Sequence, residues 1–499
     1  MKVKDRLLFV GMGCFLAAAG LSAANVLFFP YARQCHDYAF FPAMIAFLAA
    51  LAVFIWAGHG ISRMESGRAQ KAARILRPSF LVLLFAVHLL MGYLMEYTGD
   101  NLMLYNGAQM LAQDGSFERN PDFGLYLARF SNQWGFLLIL TGLFKLFFAL
   151  GVVHPFFLLA ALQAVLYVMG MRAVLRIADR LYGARGECVM ILLLASCLPL
   201  WLAAAVLYTD TFSLPFILMA LDYAMCAQKA ENGRSQMGYA FLCGLMVLIG
   251  SQIKMTTVIV LVAAVIVWAL TMKPVRACLC SLVCVLMLAA GLGTVHHVML
   301  ENVLDPSVYA PQHTPAIHWV MMSIPTSDNP YGGATGDYGI TWGMMESGAS
   351  HDEVMASIYG RMRDRIYTLR YPNRLFKAAM RKNANFMGDG TFGMTEMLDD
   401  GPVRENVISS VVLEGRPHYP LYKALTSGIF MAQLVLAVFG CLDAMKKHDL
   451  RAVLPAVAAF GAMLFLMFWE ARPRYLFGFV PVIFLLTTGG IVKGENRDA

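Results

Sequence analysis

Residues 187–228 read ECVMILLLASCLPLWLAAAVLYTDTFSLPFILMALDYAMCAQ. Two apolar runs, 187–207 and 211–228, are joined only by the turn Tyr208-Thr-Asp-Thr211. A helix needs about 20 apolar residues to cross a bilayer. A helix also satisfies its own backbone polar groups where no water is available. The stretch therefore reads as a membrane hairpin with one carboxylate, Asp210, at its tip. Working outward, similar runs lie near 7–29, 39–58, 79–97, 154–176, 237–252, 256–272, 277–299, 421–442, 452–470 and 474–491. The expected fold is an all-α polytopic membrane protein with about twelve transmembrane helices. A further run, 134–150, is short, carries Lys145 and ends at Gly151; it reads as a juxtamembrane helix that does not cross.

Composition agrees. Of 499 residues, 59% are apolar and 14% charged, and the mean hydropathy is +0.60. A soluble domain is nearer 45–50% apolar and about 25% charged, so a soluble reading would strand too much apolar surface in water. The net charge of +7 is no nucleic-acid signature, because the basic residues sit in short turns rather than along one face. Of the ten cysteines only Cys35 falls in an outer loop. No disulfide framework is expected, and Cys278, Cys280 and Cys284 read as packed thiols rather than a metal cluster.

The basic turns orient the chain. Arg63 to Arg77, Arg172 to Arg185, Lys229 with Arg234, Lys273 with Arg276, and Lys446 to Arg451 mark every second turn. Such turns stay cytoplasmic. Both termini are then expected inside, in a bacterial plasma membrane, with the long loops 97–133 and 300–420 outside. The expected division is two extra N-terminal helices (1–58), a transmembrane core (59–299), an extracytoplasmic subdomain (300–420) with a helix near 351–385, and a C-terminal helical part (421–499).

Ionisable residues at membrane depth are costly and mark function. Asp100, after the third span, is placed to be a general base or a cap for the helix that follows. Asp210 is a second carboxylate on the same rim, or a cap. Lys254, in Ser251-Gln-Ile-Lys-Met-Thr-Thr257, is a candidate for anion binding or a lysine that snorkels to the interface. Arg472 and Arg474, in Trp469-Glu-Ala-Arg-Pro-Arg-Tyr475, run against the charge rule. Arginine forks suit phosphate, although Glu470 is an available partner for an ion pair.

In this order and on one side, these features resemble the C superfamily of integral-membrane glycosyltransferases (GT-C), in the branch of protein O-mannosyltransferases and aminoarabinose transferases. The resemblance spans about 92–276, 300–320 and 469–478. It includes Tyr105 with Leu111-Ala-Gln-Asp-Gly115, Phe130-Ser-Asn-Gln-Trp-Gly135, the Asp210 and Lys254 hairpins, Thr314-Pro-Ala-Ile-His-Trp-Val320 and Arg472-Pro-Arg-Tyr475. It implies a polyprenyl-phosphate sugar as donor, a membrane lipid as carrier, and a glycan, lipid or protein as acceptor. Asp100 and Asp210 would be catalytic, and Arg472, Arg474 and Lys254 would hold the donor phosphate. Tyr105, Asn132, Gln133, His318 and Tyr475 are further candidates. Many relatives carry a second acid directly after the Asp; here it is Asn101. No metal or other cofactor is therefore expected. The runner-up is a transporter or flippase of a lipid-linked sugar or anionic lipid, but transporter sites lie near the midplane on broken helices.

The orientation is checked by thiol labelling. Cysteines introduced at Ser66 and Asn232 should resist an impermeant reagent in intact cells, and one at Ser350 should react. Labelling at 66 but not at 350 would invert the topology.

Overall fold

The computed structural model describes residues 3–94, 100–152, 154–305, 307, 311–333, 336–394 and 406–492. Among these there is no strand. Among the described residues nine helices have the length and hydropathy to cross a membrane, and three shorter apolar helices, Met255–Thr271, Val453–Phe468 and Val480–Ile491, accompany them. The protein is all-helical and multi-pass.

Side-chain pairings define the two ends of the bundle. At one end Arg77 pairs with Glu187, Arg176 and Arg180 share Asp222, and Arg185 donates to the Met64 carbonyl at 2.9 Å. At the other, His88 meets the Leu200 carbonyl at 3.1 Å and Asp210 pairs with Lys254. The basic turns therefore share one end.

Three sequence expectations change. The runs 154–176 and 187–207 are arms of one element, Phe156–Ser196, folded at Gly183. There φ is 70° and ψ −172°, a conformation open essentially to glycine alone. The second arm stops at Ser196, short of 207. Leu198-Pro199 starts a separate short helix, Leu198–Leu202, and the chain then unwinds to extended backbone at Val206 and Tyr208. The helix expected near 351–385 is two, His351–Thr368 and Pro372–Met387. Proline fixes its own φ and pushes the preceding residue to extended backbone, as at Tyr371 (ψ 128°).

The segment Ser131–Ala149 has a span's hydropathy but runs along the rim. Gln133, at its start, bonds the Tyr208 hydroxyl at 2.8 Å. Near its other end Phe144 touches Tyr105, which also touches Phe156. Phe156 opens the arm whose far end, Gly183, lies at the basic-turn end, so both ends of Ser131–Ala149 belong to the Asp210 rim.

The loop 300–420 forms a cap continuous with the bundle. Its helices Ala316–Met322, Asp337–Glu346 and His351–Thr368 meet around Met321, Met345, Val354 and Ile358. Buried Asp337 takes Arg361 (3.0 Å) and Arg365 (2.7 Å). The helix Pro372–Met387 then dips inward, and Phe386, Met387, Phe392 and Met394 join the main core. The N-terminal helices brace it: Asn25 donates to the Met380 carbonyl (2.7 Å) and Asn383 (3.0 Å), and a His36 ring nitrogen bonds the Asn385 carbonyl (2.8 Å).

Lipid removes most of the hydrophobic drive between helices, so close packing of small residues holds them. Helices Tyr419–Lys446 and Val480–Ile491 meet backbone to backbone at Gly440 and Gly490. A Cβ on Gly440 would strike Leu486 O and Gly490 N, and one on Gly490 would strike Leu436 O and Gly440 N. Gly440→Leu should destabilise the detergent-solubilised protein by about 1–3 kcal/mol, the usual scale of overpacking. Gly293→Ala, inside Pro274–Asn302 where nothing lies within 4 Å, should hold or slightly raise the melting temperature.

Candidate active site

Three turns bring the charged residues to one rim. Asp210 sits in the first turn of Thr209–Lys229, where Thr211 and Tyr208 form a reciprocal cap. Lys254 ends Gly233–Ile253 in extended backbone (φ −153°), and this turn presents its ammonium to Asp210. Pro473 precedes the short helix Arg474–Phe477 and sets Arg474 beside the same carboxylate.

The result is a buried ionic cluster. Lys254 Nζ pairs with Asp210 Oδ1, and Arg474 Nε lies 3.9 Å from Oδ2. The Asp210 side chain is only 2% exposed. Glu470 accepts from Arg472 Nε at 3.1 Å and from the Tyr475 hydroxyl at 3.0 Å. The partnership with Glu470 left open for Arg472 in the sequence is therefore made. Lys254 Nζ also stands 4.1 Å from the Tyr475 ring centroid, where the ring face attracts a cation. Three cations (Lys254, Arg472, Arg474) against two carboxylates (Asp210, Glu470) leave one net positive charge. Burial pulls the Lys254 ammonium down to about 8, although Asp210 pulls the other way. Burial, with Glu470 close, raises the Tyr475 phenol well above its usual range, so it stays a neutral donor.

Lys254, Glu470, Arg472, Arg474 and Tyr475 line a cavity of about 650 Å³, and Asp210 stands behind them. Its floor is Tyr208, Thr209, Ile253, Lys254, Met255 and Thr256, from the hairpin turns. One side is Arg129 to Gln133 and the other is Trp469, Glu470, Arg472, Arg474 and Tyr475. The cap supplies His313, Thr314, Ala316, Trp319, Tyr338 and Trp342. Below the floor, Thr209–Lys229 is buried nearly throughout by apolar neighbours.

Most of the residues singled out in the sequence converge here: Lys254, Arg472, Arg474, Tyr475, Asn132 and Gln133 line the cavity, and Asp210 lies behind it as the partner of Lys254 and Arg474. Tyr105 does not. It is buried against Phe144 (4.9 Å between centroids) and Phe156, because the rim helix packs over it. His318 is also a correction. It sits behind the cavity wall with Nδ1 3.0 Å from Thr341 Oγ1, and burial holds it neutral, at about 4. Its neighbour Trp319 is the one that faces in. Asp100 opens the helix Asp100–Asp114, but its side chain lies outside the described residues. Among those residues no group of three His, Cys, Asp or Glu is placed to hold a metal ion.

Sequence reasoning passed over Tyr338 and Trp342. They stand four residues apart in a stretch that reads as irregular loop, and that i, i+4 spacing of aromatics was the available signal. Tyr208 was visible only as part of the hairpin, and Arg129 carried no signal of its own.

Two crystal structures are similar in outline, both of ArnT from Cupriavidus metallidurans. One is bound to undecaprenyl phosphate, at 14% identity over 84% of this chain and 77% of that one, with a TM-score of 0.34. The other is the apo state, at 14% identity over 83% and 78%, also at 0.34. No curated protein matches the chain. A family model described as conserved hypothetical integral membrane protein matches residues 166–492. That match covers well over half of the sequence, including the Asp210, Lys254 and Arg474 turns, and the chain accordingly belongs to this family of integral membrane proteins.

Proposed function

We propose that the chain is a membrane glycosyltransferase, with the rim cavity as its active site on the extracytoplasmic face. It transfers a sugar from a polyprenyl-phosphate donor to an acceptor hydroxyl on a glycan, lipid or protein. The observation that carries this reading is the cluster of largely buried Lys254 and Arg474 with part-exposed Arg472, one positive charge in excess, set in the wall of a cavity large enough for a lipid headgroup.

The chemistry follows from the charges. A lipid phosphate leaves without needing a proton; it needs its developing charge stabilised by fixed cations in a low-dielectric site. Lys254 and Arg474 are held by Asp210, and Arg472 by Glu470, so no reorganisation is required when the phosphate departs. The acceptor hydroxyl needs a base, and Asp100 is proposed for it on the resemblance described above. A single displacement inverts the anomeric centre. Asp210 acts through the cations it holds and is a positioning residue. Transport is the weaker alternative, because the stretch Leu214 to Leu221 of the helix beneath the cavity is apolar and buried among the other helices.

Two tests follow. Arg474→Ala should weaken undecaprenyl-phosphate binding about 10- to 100-fold, the scale of a charge-assisted bond, and Arg474→Lys should restore little. Asp100→Asn should leave that binding intact and cut transfer about 10²–10⁴-fold. Near-normal turnover would remove Asp100 from the mechanism.

A third test uses pH. Lys254 is cationic below about 8, so binding of the lipid phosphate should be strong at pH 7 and weaken as pH rises through 8. Lys254→Arg, which stays charged, should flatten that limb. An unchanged limb would place the titrating group elsewhere.

A further inference from the structure

The cavity has a second half that the phosphate chemistry leaves unused. Phe130, Trp319, Tyr338 and Trp342 form a continuous aromatic wall. Centroid separations are 5.8 Å for Phe130–Trp319, 5.6 Å for Phe130–Trp342, 5.4 Å for Trp319–Tyr338 and 4.9 Å for Tyr338–Trp342. All four line the cavity and are half-buried, so each keeps part of its surface open. Rings serving only a core would be closed over, as Phe386 and Phe392 are.

The wall is held rigidly from behind. Trp342 Nε1 donates to Thr314 Oγ1 at 3.2 Å. Arg129 lies 4.8 Å from the Trp342 ring while bonded to Gln312 (3.2 Å) and Glu346 (2.5 Å). The buried Asp337, gripping Arg361 and Arg365, fixes the first turn of the helix that carries Tyr338 and Trp342. Polar groups suited to hydroxyls flank the rings. Asn132 and His313 line the cavity beside them. Gln133 gives its amide N–H to Tyr208, but its buried Oε1 has no partner among the described residues. An unpaired buried acceptor calls for a donor.

The geometry points to the aromatic wall as a pyranose subsite: one sugar ring lies with its C–H face on Trp319 and Trp342, and its hydroxyls reach Gln133 and Asn132. An aromatic face is electron-rich and attracts the slightly positive C–H bonds on one face of a sugar ring. Amides satisfy the hydroxyls around its edge. Tyr338 stands where the two halves of the cavity meet. Its phenol is raised above its usual range by burial and by nearby Glu470 and Tyr475, and so remains a neutral hydrogen-bond donor. The inference deepens the transferase reading by locating the sugar. The same chemistry fits a donor pyranose or a pyranose of an acceptor glycan.

The test is saturation-transfer NMR on the full chain in detergent, with methyl mannopyranoside, glucopyranoside and arabinopyranoside as probes. At least one should bind saturably, with the strongest transfer to the protons of a single ring face. Trp342→Ala should weaken it at least tenfold, the scale of lost aromatic packing. Trp342→Phe should retain most of the binding, and Arg474→Ala should leave it unchanged while lowering affinity for undecaprenyl phosphate. No saturable binding of any pyranoside to the wild type, or wild-type binding in Trp342→Ala, overturns the subsite. Undecaprenyl phosphate binding without pyranoside binding removes the subsite and leaves the transferase reading standing; the reverse keeps the subsite and removes the transferase reading. If undecaprenyl-phosphate sugars bind more tightly than undecaprenyl phosphate, and Trp342→Ala erases that gain, the ring is the donor's. If pyranosides bind but no such gain exists, it is the acceptor's.

Discussion

Asp210 is the shared partner of Lys254 and Arg474, and the rim is organised around it. Its three turns come from parts of the chain far apart in sequence. Burying one carboxylate and two cations is expensive, and the attraction offsets that only when geometry is good and other polar atoms are satisfied. Such a cluster is therefore weak evidence for stability. It is better understood as a device that fixes charge where water would otherwise let it relax. Glu470 repeats the arrangement on a smaller scale with Arg472 and Tyr475. Together they create a fixed positive excess facing a cavity rather than a neutral salt bridge inside a core.

The cap matters to this rim in two ways. It supplies the aromatic wall, and it is anchored by its own descent into the bundle through Phe386 to Met394. The N-terminal helices, which look dispensable in sequence, hold the far side of that descent through Asn25 and His36. Cap and bundle therefore share one packing problem: the wall is positioned against the ionic cluster by a cap whose helix Pro372–Met387 is locked among membrane helices.

Much of this was legible in residue order. The apolar runs and the basic turns follow from hydropathy and charge, which act locally. The charged rim residues were legible because charges near a bilayer need a reason. Tyr105 and His318 misled, since a polar aromatic near a rim looks alike whether it faces a cavity or a neighbouring helix. Tyr338 and Trp342 were missed because their helix lies in a loop with weak periodicity.

The sequence by itself determined the class of fold, because lipid imposes its demands on each segment separately: about 20 apolar residues and an internally satisfied backbone. Only the tertiary structure decided which carboxylate serves as counter-ion, which aromatics face the cavity, and where a run breaks, at Gly183 or Ser196. Those outcomes depend on distances between residues far apart in the chain, such as Lys254 and Arg474 around Asp210. Hydropathy and local charge carry no information about such distances until the helices have packed.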